Sequence, residues 1–262
     1  MPVWPARVYN RAMLRSLSAS FMQLLLPRHC VACGNAAERD GRFPLCGPCG
    51  QAMAELIQAP YCPRCGRHSG PGTFDEQGCL FCRRFPVRHD ATVRVGAYEH
   101  PLKSIILRCK YQRQPELASV LGRLLRERLA IAPWVDLVDE IIPVPLHWTR
   151  RLRRGFNQAE LVAREVASAV ERPLRQRLRR TRATEHQSRL AASERRKAVR
   201  GAFEVRGTGA APLKHRTVLL VDDVMTSGTT VAECARILKK AGTRAVYVAV
   251  ISTADYDEPG LW

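Results

Sequence analysis

No run of 18 or more uninterrupted apolar residues occurs in this chain, so no segment reads as a membrane-spanning helix. No G-x-x-x-x-G-K-[ST] occurs either. A P-loop NTPase is therefore not expected, although Leu219–Asp223 alone would suit a Walker B strand. Acids are scarce: 24 Asp and Glu stand against 42 Lys and Arg, a net charge of +18 in 262 residues. The imbalance is local, since residues 150–200 hold 16 Lys/Arg against 5 Glu. Such a field favours polyphosphate ligands or nucleic acid; the plainer reading is a solvated face in an Arg-rich composition. Residues 1–26 contain Arg7, Arg11 and Arg15 and no acid, but their apolar run, ending at Leu24–Leu26, is short and no small-residue cleavage site follows. We read them as a tail leading into a short helix rather than a targeting peptide. Without a secretion signal, the expected location is the cytoplasm.

Ten cysteines are present, and their arrangement matters more than their number. Eight form four C-x-x-C pairs, Cys30/Cys33, Cys46/Cys49, Cys62/Cys65 and Cys79/Cys82, separated by twelve, twelve and thirteen residues. In zinc ribbons each such pair makes one knuckle, and two knuckles complete a tetrahedral thiolate site. Gly34, Gly50 and Gly66 follow three of the pairs, where a knuckle turns most sharply. A reducing compartment keeps these thiols free for metal, the alternative being a disulfide framework. The expectation is two structural zinc ions in a module spanning 27–88, paired in sequence order, with an interleaved arrangement left open. Cys109 and Cys234 stand alone in helical patterns and read as buried apolar residues.

From 89 to 262 the texture is that of one α/β domain. Thr92–Tyr98 alternates like a half-buried strand, and a helix runs from Pro101 to Tyr111. A second helix spans Leu117–Ile131, and Glu140–Val144 is a strand closed by prolines. The stretch Arg150–Gln158 reads as the most basic loop of the chain, followed by a helix over Ala159–Val170. Arg172–Arg200 has few apolar residues and is expected to be exposed or partly mobile. Val218–Val221 is a buried strand, Val231–Lys240 an amphipathic helix with Val231, Ala235 and Leu238 on one face, and Thr243–Ile251 a last strand. Strands alternating with helices imply a mostly parallel sheet, with ligands at the carboxyl ends of its strands.

The chain is organised around Val218–Thr230. Asp222 and Asp223 stand where the strand should end, a position suited to a ribose diol, a hydrated Mg2+ ion, or both. Thr226, Ser227, Gly228, Thr229 and Thr230 then lead into the helix, a geometry that sets backbone N–H groups and hydroxyls against a phosphate. The alternative is an ordinary strand–loop–helix with solvated acids. Four apolar residues, two acids and a Thr/Gly loop resemble the 5-phosphoribosyl-1-pyrophosphate (PRPP) motif of type I phosphoribosyltransferases. With the cysteine module, Pro143-Val-Pro145, Arg150-x3-Arg154-Gly155-Phe156-Asn157-Gln158, Gln187-x2-Leu190-x4-Arg195 and Gly201-Ala-Phe203, the chain resembles the ComF family (ComF, ComFC and GntX-like proteins) nearly end to end.

That resemblance implies a type I phosphoribosyltransferase-like parallel sheet behind a double zinc ribbon, and an association with natural competence and single-stranded DNA. It implies a catalytic role for Asp222 and Asp223, on the ribose hydroxyls and the Mg2+-linked water shell. It also implies PRPP binding by Val224, Met225 and Thr226–Thr230, with Arg154, Gly155, Phe156 and Asn157 in the place of the pyrophosphate loop. Thr184–Arg196 would be a loop over the substrate. Arg150, Arg151, Arg153, Arg195 and Arg196 are the candidate nucleic-acid surface. Trp148 and Phe156 could stack on bases, though the packing reading is preferred for both. No segment can be assigned as the hood that reads an acceptor, nor as a glutaminase domain. Three functions follow: a DNA-uptake accessory binding PRPP and single strands, alongside a protein partner of the uptake machinery; an active phosphoribosyltransferase on a small acceptor; or a non-catalytic PRPP-sensing scaffold.

Overall fold

The structure, a computed structural model, describes residues 29–37, 43–85, 87–112, 114–182, 199–206 and 213–254. The N-terminal tail and the expected substrate loop, with Arg195 and Arg196, lie outside the described residues.

The cysteine module contributes helix α1 (Gly47–Gln58), the two-residue strands β1 (Phe74–Asp75) and β2 (Gly78–Cys79), and helix α2 (Leu80–Arg84). Then follow β3 (Ala91–Ala97), α3 (Leu102–Tyr111), α4 (Leu117–Leu129), β4 (Glu140–Pro143), α5 (Trp148–Arg154) and α6 (Gln158–Ala169). The short antiparallel pair β5 (Leu178–Arg180) and β6 (Phe203–Val205) precedes β7 (Thr217–Met225), α7 (Thr229–Lys240) and β8 (Ala245–Thr253).

Among the described residues, the main sheet holds four parallel strands in the order β3–β8–β7–β4. Its two central strands are buried on both faces over Val218–Val221 and Val248–Ile251, and those stretches are apolar throughout. Period-two geometry divides β7 between two cores: Leu219 and Val221 join one, Val218 and Leu220 the other. The first core is closed by α3, α4 and α6, and also by Cys30, Leu45, Cys49 and Met53 of the first ribbon. The second lies under α7 and the β5–β6 pair. Val231, Ala235 and Leu238 are at most 1% exposed, as the helical pattern predicts.

Three expectations are corrected. β3 is buried on both faces rather than one, because the second ribbon covers its polar residues. Thr92 donates to the Arg64 carbonyl (2.9 Å), and Arg94, fully buried, donates to Thr253 Oγ1 beneath the Tyr61 ring. Second, Trp148–Arg154 is helix rather than loop. His147 caps its start, accepting from the Thr149 N–H, and Gly155, at φ 84°, ends it in the left-handed region that glycine enters without strain. Third, Arg172–Arg200 is not uniformly exposed: Arg177 forms a bidentate pair with the buried Glu140, and β5 lies within this stretch.

Candidate functional site

The eight paired cysteines gather into two tetrads, Cys30/Cys33/Cys46/Cys49 and Cys62/Cys65/Cys79/Cys82, each with its Sγ atoms within 4.8 Å of one another. Sequential pairing is thus the arrangement found, and all ten cysteines are free of disulfides. Sγ–Sγ separations of 3.6 Å (Cys33–Cys46, Cys65–Cys79) and 3.8 Å (Cys62–Cys82) match the ~3.8 Å edge of a tetrahedron with metal–sulfur bonds of ~2.3 Å. Thiolate donors in that geometry fit zinc. Four protein ligands leave no open position, which makes both centres structural. Sequence reasoning missed His100, whose Nε2 lies 3.4 Å from Cys49 Sγ while Nδ1 meets Ser104 Oγ at 3.0 Å. An imidazole so held orients a thiolate from outside the ligand set. Cys109 and Cys234 are buried in the two cores, as expected, and burial raises both thiols.

At the carboxyl end of β7, Asp222 and Asp223 leave the sheet side by side, the Asp223 N–H donating to Asp222 Oδ1 (2.8 Å). Lys110 Nζ, from the end of α3, pairs with Asp223 Oδ1 at 2.9 Å, both side chains being only 15% exposed. Burial, reinforced by the Asp223 charge, pushes the Asp222 carboxyl up to about 7. Two crowded carboxylates with a single ammonium between them are short of positive charge, so the donor set fits a hard divalent cation such as Mg2+.

Next to them, Gly228 takes φ 72° and starts α7, and Ser227 Oγ lies 3.0 Å from Thr229 Oγ1. The first turn of this twelve-residue helix carries no acid, which leaves its positive end uncompensated toward an anion. Thr226 to Thr230 are all half-buried. Val224 and Met225, by contrast, pack into the cores and anchor the loop.

The basic helix α5 divides its arginines by face. Arg150 and Arg154, four apart, turn inward, while Arg151 and Arg153 are exposed. Arg154 lies over the Tyr111 ring (5.1 Å) and donates to Gln158 Oε1 (3.2 Å). Arg151 leans toward the buried Glu160 at 3.6 Å. Asn157 is buried and donates to the Val144 carbonyl (3.1 Å), tying this turn to the end of β4. Phe156 packs against the first core, in keeping with the packing reading. Trp148 departs from it: it is 67% exposed, with Leu152 beside it at 80%.

Sequence reasoning also missed Arg180, at the end of β5. Burial pushes its guanidinium below the ordinary value, and so does the charge of Arg150; burial and the nearby Arg154 and Arg153 do the same to Arg150. Arg180 in turn acts on Asp222. The arrangement therefore sets a carboxylate pair, an ammonium, a helix N-terminus and mutually repelling guanidinium groups around the end of one strand. A polyphosphate with attached hydroxyls and a divalent cation would satisfy every one of these groups.

A double zinc ribbon domain model matches residues 21–85, and a phosphoribosyl transferase domain model matches residues 152–258. β3, α3, α4 and β4, which carry Lys110 and complete the sheet, lie between the two matches. DNA utilization protein YhgH of Escherichia coli K12 is 34% identical over 212 residues, covering 79% of this chain and 89% of that protein. Competence protein F of Haemophilus influenzae is 32% identical over 206 residues, 77% of this chain and 88% of that one. Competence protein ComFC of Bacillus subtilis is 26% identical over 207 residues, 77% and 80% of the two chains. Among solved structures, glutamine PRPP amidotransferase from B. subtilis aligns with a TM-score of 0.35 at 21% identity, over 51% of this chain and 25% of that one. No helix among the described residues is long and apolar enough to cross a membrane. With both cysteine tetrads in sequence order, and with relatives of this identity matched over most of their length, the chain belongs to the ComF/YhgH family, a double zinc ribbon joined to a phosphoribosyltransferase domain.

Proposed function

We propose that this protein holds PRPP at the end of β7 and binds single-stranded DNA through its basic surface, as a cytoplasmic accessory of DNA uptake and use. The observation that carries the reading is the convergence of Asp222, Asp223, Lys110, Arg150 and Arg180 beside the Thr226–Thr230 loop. The loop amides and hydroxyls take the 5-phosphate, and the aspartates take the ribose hydroxyls and would hold Mg2+. Arg150 and Arg180 face the pyrophosphate, whose negative charge offsets their mutual repulsion. Bound Mg2+ would supply further neutralisation of that pyrophosphate. The names of the relatives, DNA utilization and competence proteins, support the DNA half of the reading. So does helix α5, where exposed Trp148 offers a stacking face among exposed arginines.

A strand held by its phosphates is bound without regard to sequence and released by salt. Fluorescence anisotropy with labelled oligonucleotides should therefore show binding that weakens steeply with salt. Arg151→Ala with Arg153→Ala, the exposed pair of α5, is expected to reduce affinity about tenfold on any sequence, the log–log salt slope becoming shallower by roughly 0.7 for each phosphate that is no longer neutralised. Absence of binding at low salt would remove the DNA half of the proposal. Arg150 and Arg180 favour a second reading, in which pyrophosphate leaves during transfer to a small acceptor. Mg2+-dependent release of pyrophosphate from PRPP across a panel of bases and amines would establish it; no release across the panel would count against it.

A further inference from the structure

A cavity of about 900 Å³ opens between the second zinc ribbon and the phosphate loop. One wall is the loop itself, Thr226–Thr229, continued by Arg200 and Gly201; the other is ribbon, with Arg67, Phe81, Phe85 and His89. Asp222 and Asp223 do not line it. The space therefore extends past the seat of the 5-phosphate: with its ribose on the aspartates, PRPP would reach the cleft with that terminal phosphate alone. An occupant must continue past that phosphate, as a phosphodiester does.

The lining suits a nucleotide. The Arg67 guanidinium stacks over the Phe81 ring at 4.1 Å, and Phe81 packs on Phe85 with centroids 4.9 Å apart and ring planes tilted by 36°, an aromatic and cationic wall. Arg200 adds an exposed positive charge on the facing wall. His89 is 5% exposed, and its buried Nδ1 has no hydrogen-bond partner. Its Nε2 meets Thr92 Oγ1 at 2.8 Å, and that hydroxyl donates to the Arg64 carbonyl (2.9 Å). The hydroxyl proton being so used, Nε2–H is the donor to Thr92, and Nδ1 is left as a buried lone-pair acceptor. The volume falls within the range of sites that enclose small ligands.

We propose that this cleft is a nucleotide subsite for single-stranded nucleic acid. The strand lays one phosphate on the Thr226–Thr229 loop and seats the neighbouring base between the ribbon wall and Arg200. The second ribbon thereby acts as part of the binding site as well as a structural module. Because strand and PRPP use one loop, each excludes the other, and PRPP level sets DNA occupancy. This rests on the PRPP reading of the loop given above.

The test is anisotropy of a fluorescein-labelled oligothymidylate on the full chain, with and without saturating Mg2+ and PRPP, in wild type, Arg67→Ala and Arg200→Ala. Zinc content and thermal midpoint serve as controls for folding; Arg200 lies outside the ribbon, so its variant reads the cleft even where Arg67→Ala disturbs the metal centre. The expected result is about tenfold weaker strand binding in each variant, unchanged PRPP affinity, and about tenfold weaker strand binding to wild type when PRPP is present. Unchanged strand affinity in both folded variants, or strand binding indifferent to PRPP that itself binds, overturns the subsite while leaving the PRPP reading intact. Failure of wild type to bind PRPP overturns that reading instead, and the variants' strand affinities then still report on the cleft alone. Failure of wild type to bind the strand overturns the subsite.

Discussion

Replacing Cys49 by serine is expected to lower the thermal midpoint of the whole chain by ~10 °C or more, whereas Cys82→Ser is expected to loosen the second ribbon and leave the main transition nearly in place. The difference comes from where each tetrad is buried. Cys30 and Cys49 sit in the same core as Val93, Ile105, Leu125 and Ile251, with Leu45 and Met53 filling between them. Losing the first metal thus opens a flank of the sheet. A structural zinc contributes on the order of 10 kcal/mol to a small metal domain, and in a chain of this size ~3 kcal/mol of it transmitted to the core shifts the midpoint by ~10 °C. Cys62, Cys65 and Cys79 instead form a cluster of their own with Phe74, Phe81 and Val87 beside it. That ribbon docks through individual hydrogen bonds, such as Thr253 Oγ1 to the Gly66 carbonyl at 2.9 Å. Calorimetry joined to limited proteolysis separates the two cases; equal midpoints for the two variants would show that the ribbons are not unequally tied to the sheet.

The second large effect concerns Asp222, and its sign is unusual for a binding residue. Burial and Asp223 raise this carboxyl from 3.8 to about 7. Between pH 4 and 7 the unfolded chain has therefore lost a proton that the folded chain retains. Stability contributed by the protonated group is present at low pH and is lost as pH rises through 7. At ~1.4 kcal/mol per pH unit, the ionised Asp222 costs the ligand-free protein a few kcal/mol at pH 8. Asp222→Asn should then raise the midpoint by ~5–10 °C at pH 8 without added Mg2+, by less at pH 5, and hardly at all near pH 4. The same variant should lose PRPP binding, so that stability and function move in opposite directions. Scanning calorimetry at the three pH values checks the first statement. A gain that does not change with pH would mean that Asp222 ionises normally in the empty site.

Much of this was legible in the sequence because the signals are local. The C-x-x-C spacing carried both metal centres, and the apolar run, acid pair and hydroxyl loop of Val218–Thr230 carried the central strand, its turn and its helix. What escaped reading depends on contacts between distant segments. Lys110 ends a helix that the pattern identified, yet its meeting with Asp223 joins positions 113 residues apart. Arg180 and Arg177 lie in a stretch so rich in arginine that composition could not separate the buried from the solvated. Helix α5 has too few apolar residues to show a helical period, and the arginines that hid it are the ones it presents. His100 and His89 gained their roles only when the ribbons folded onto the sheet.

The end of β7 is proposed to be a working PRPP site. Calorimetric titration of PRPP with Mg2+ into the zinc-loaded protein, beside the Asp222→Asn/Asp223→Asn variant, tests it most directly. One binding event per chain is expected in wild type, weakened at least a hundredfold in the variant while zinc content stays at two per chain. No binding to wild type with both zinc ions in place, or equal binding by the two proteins, would contradict it.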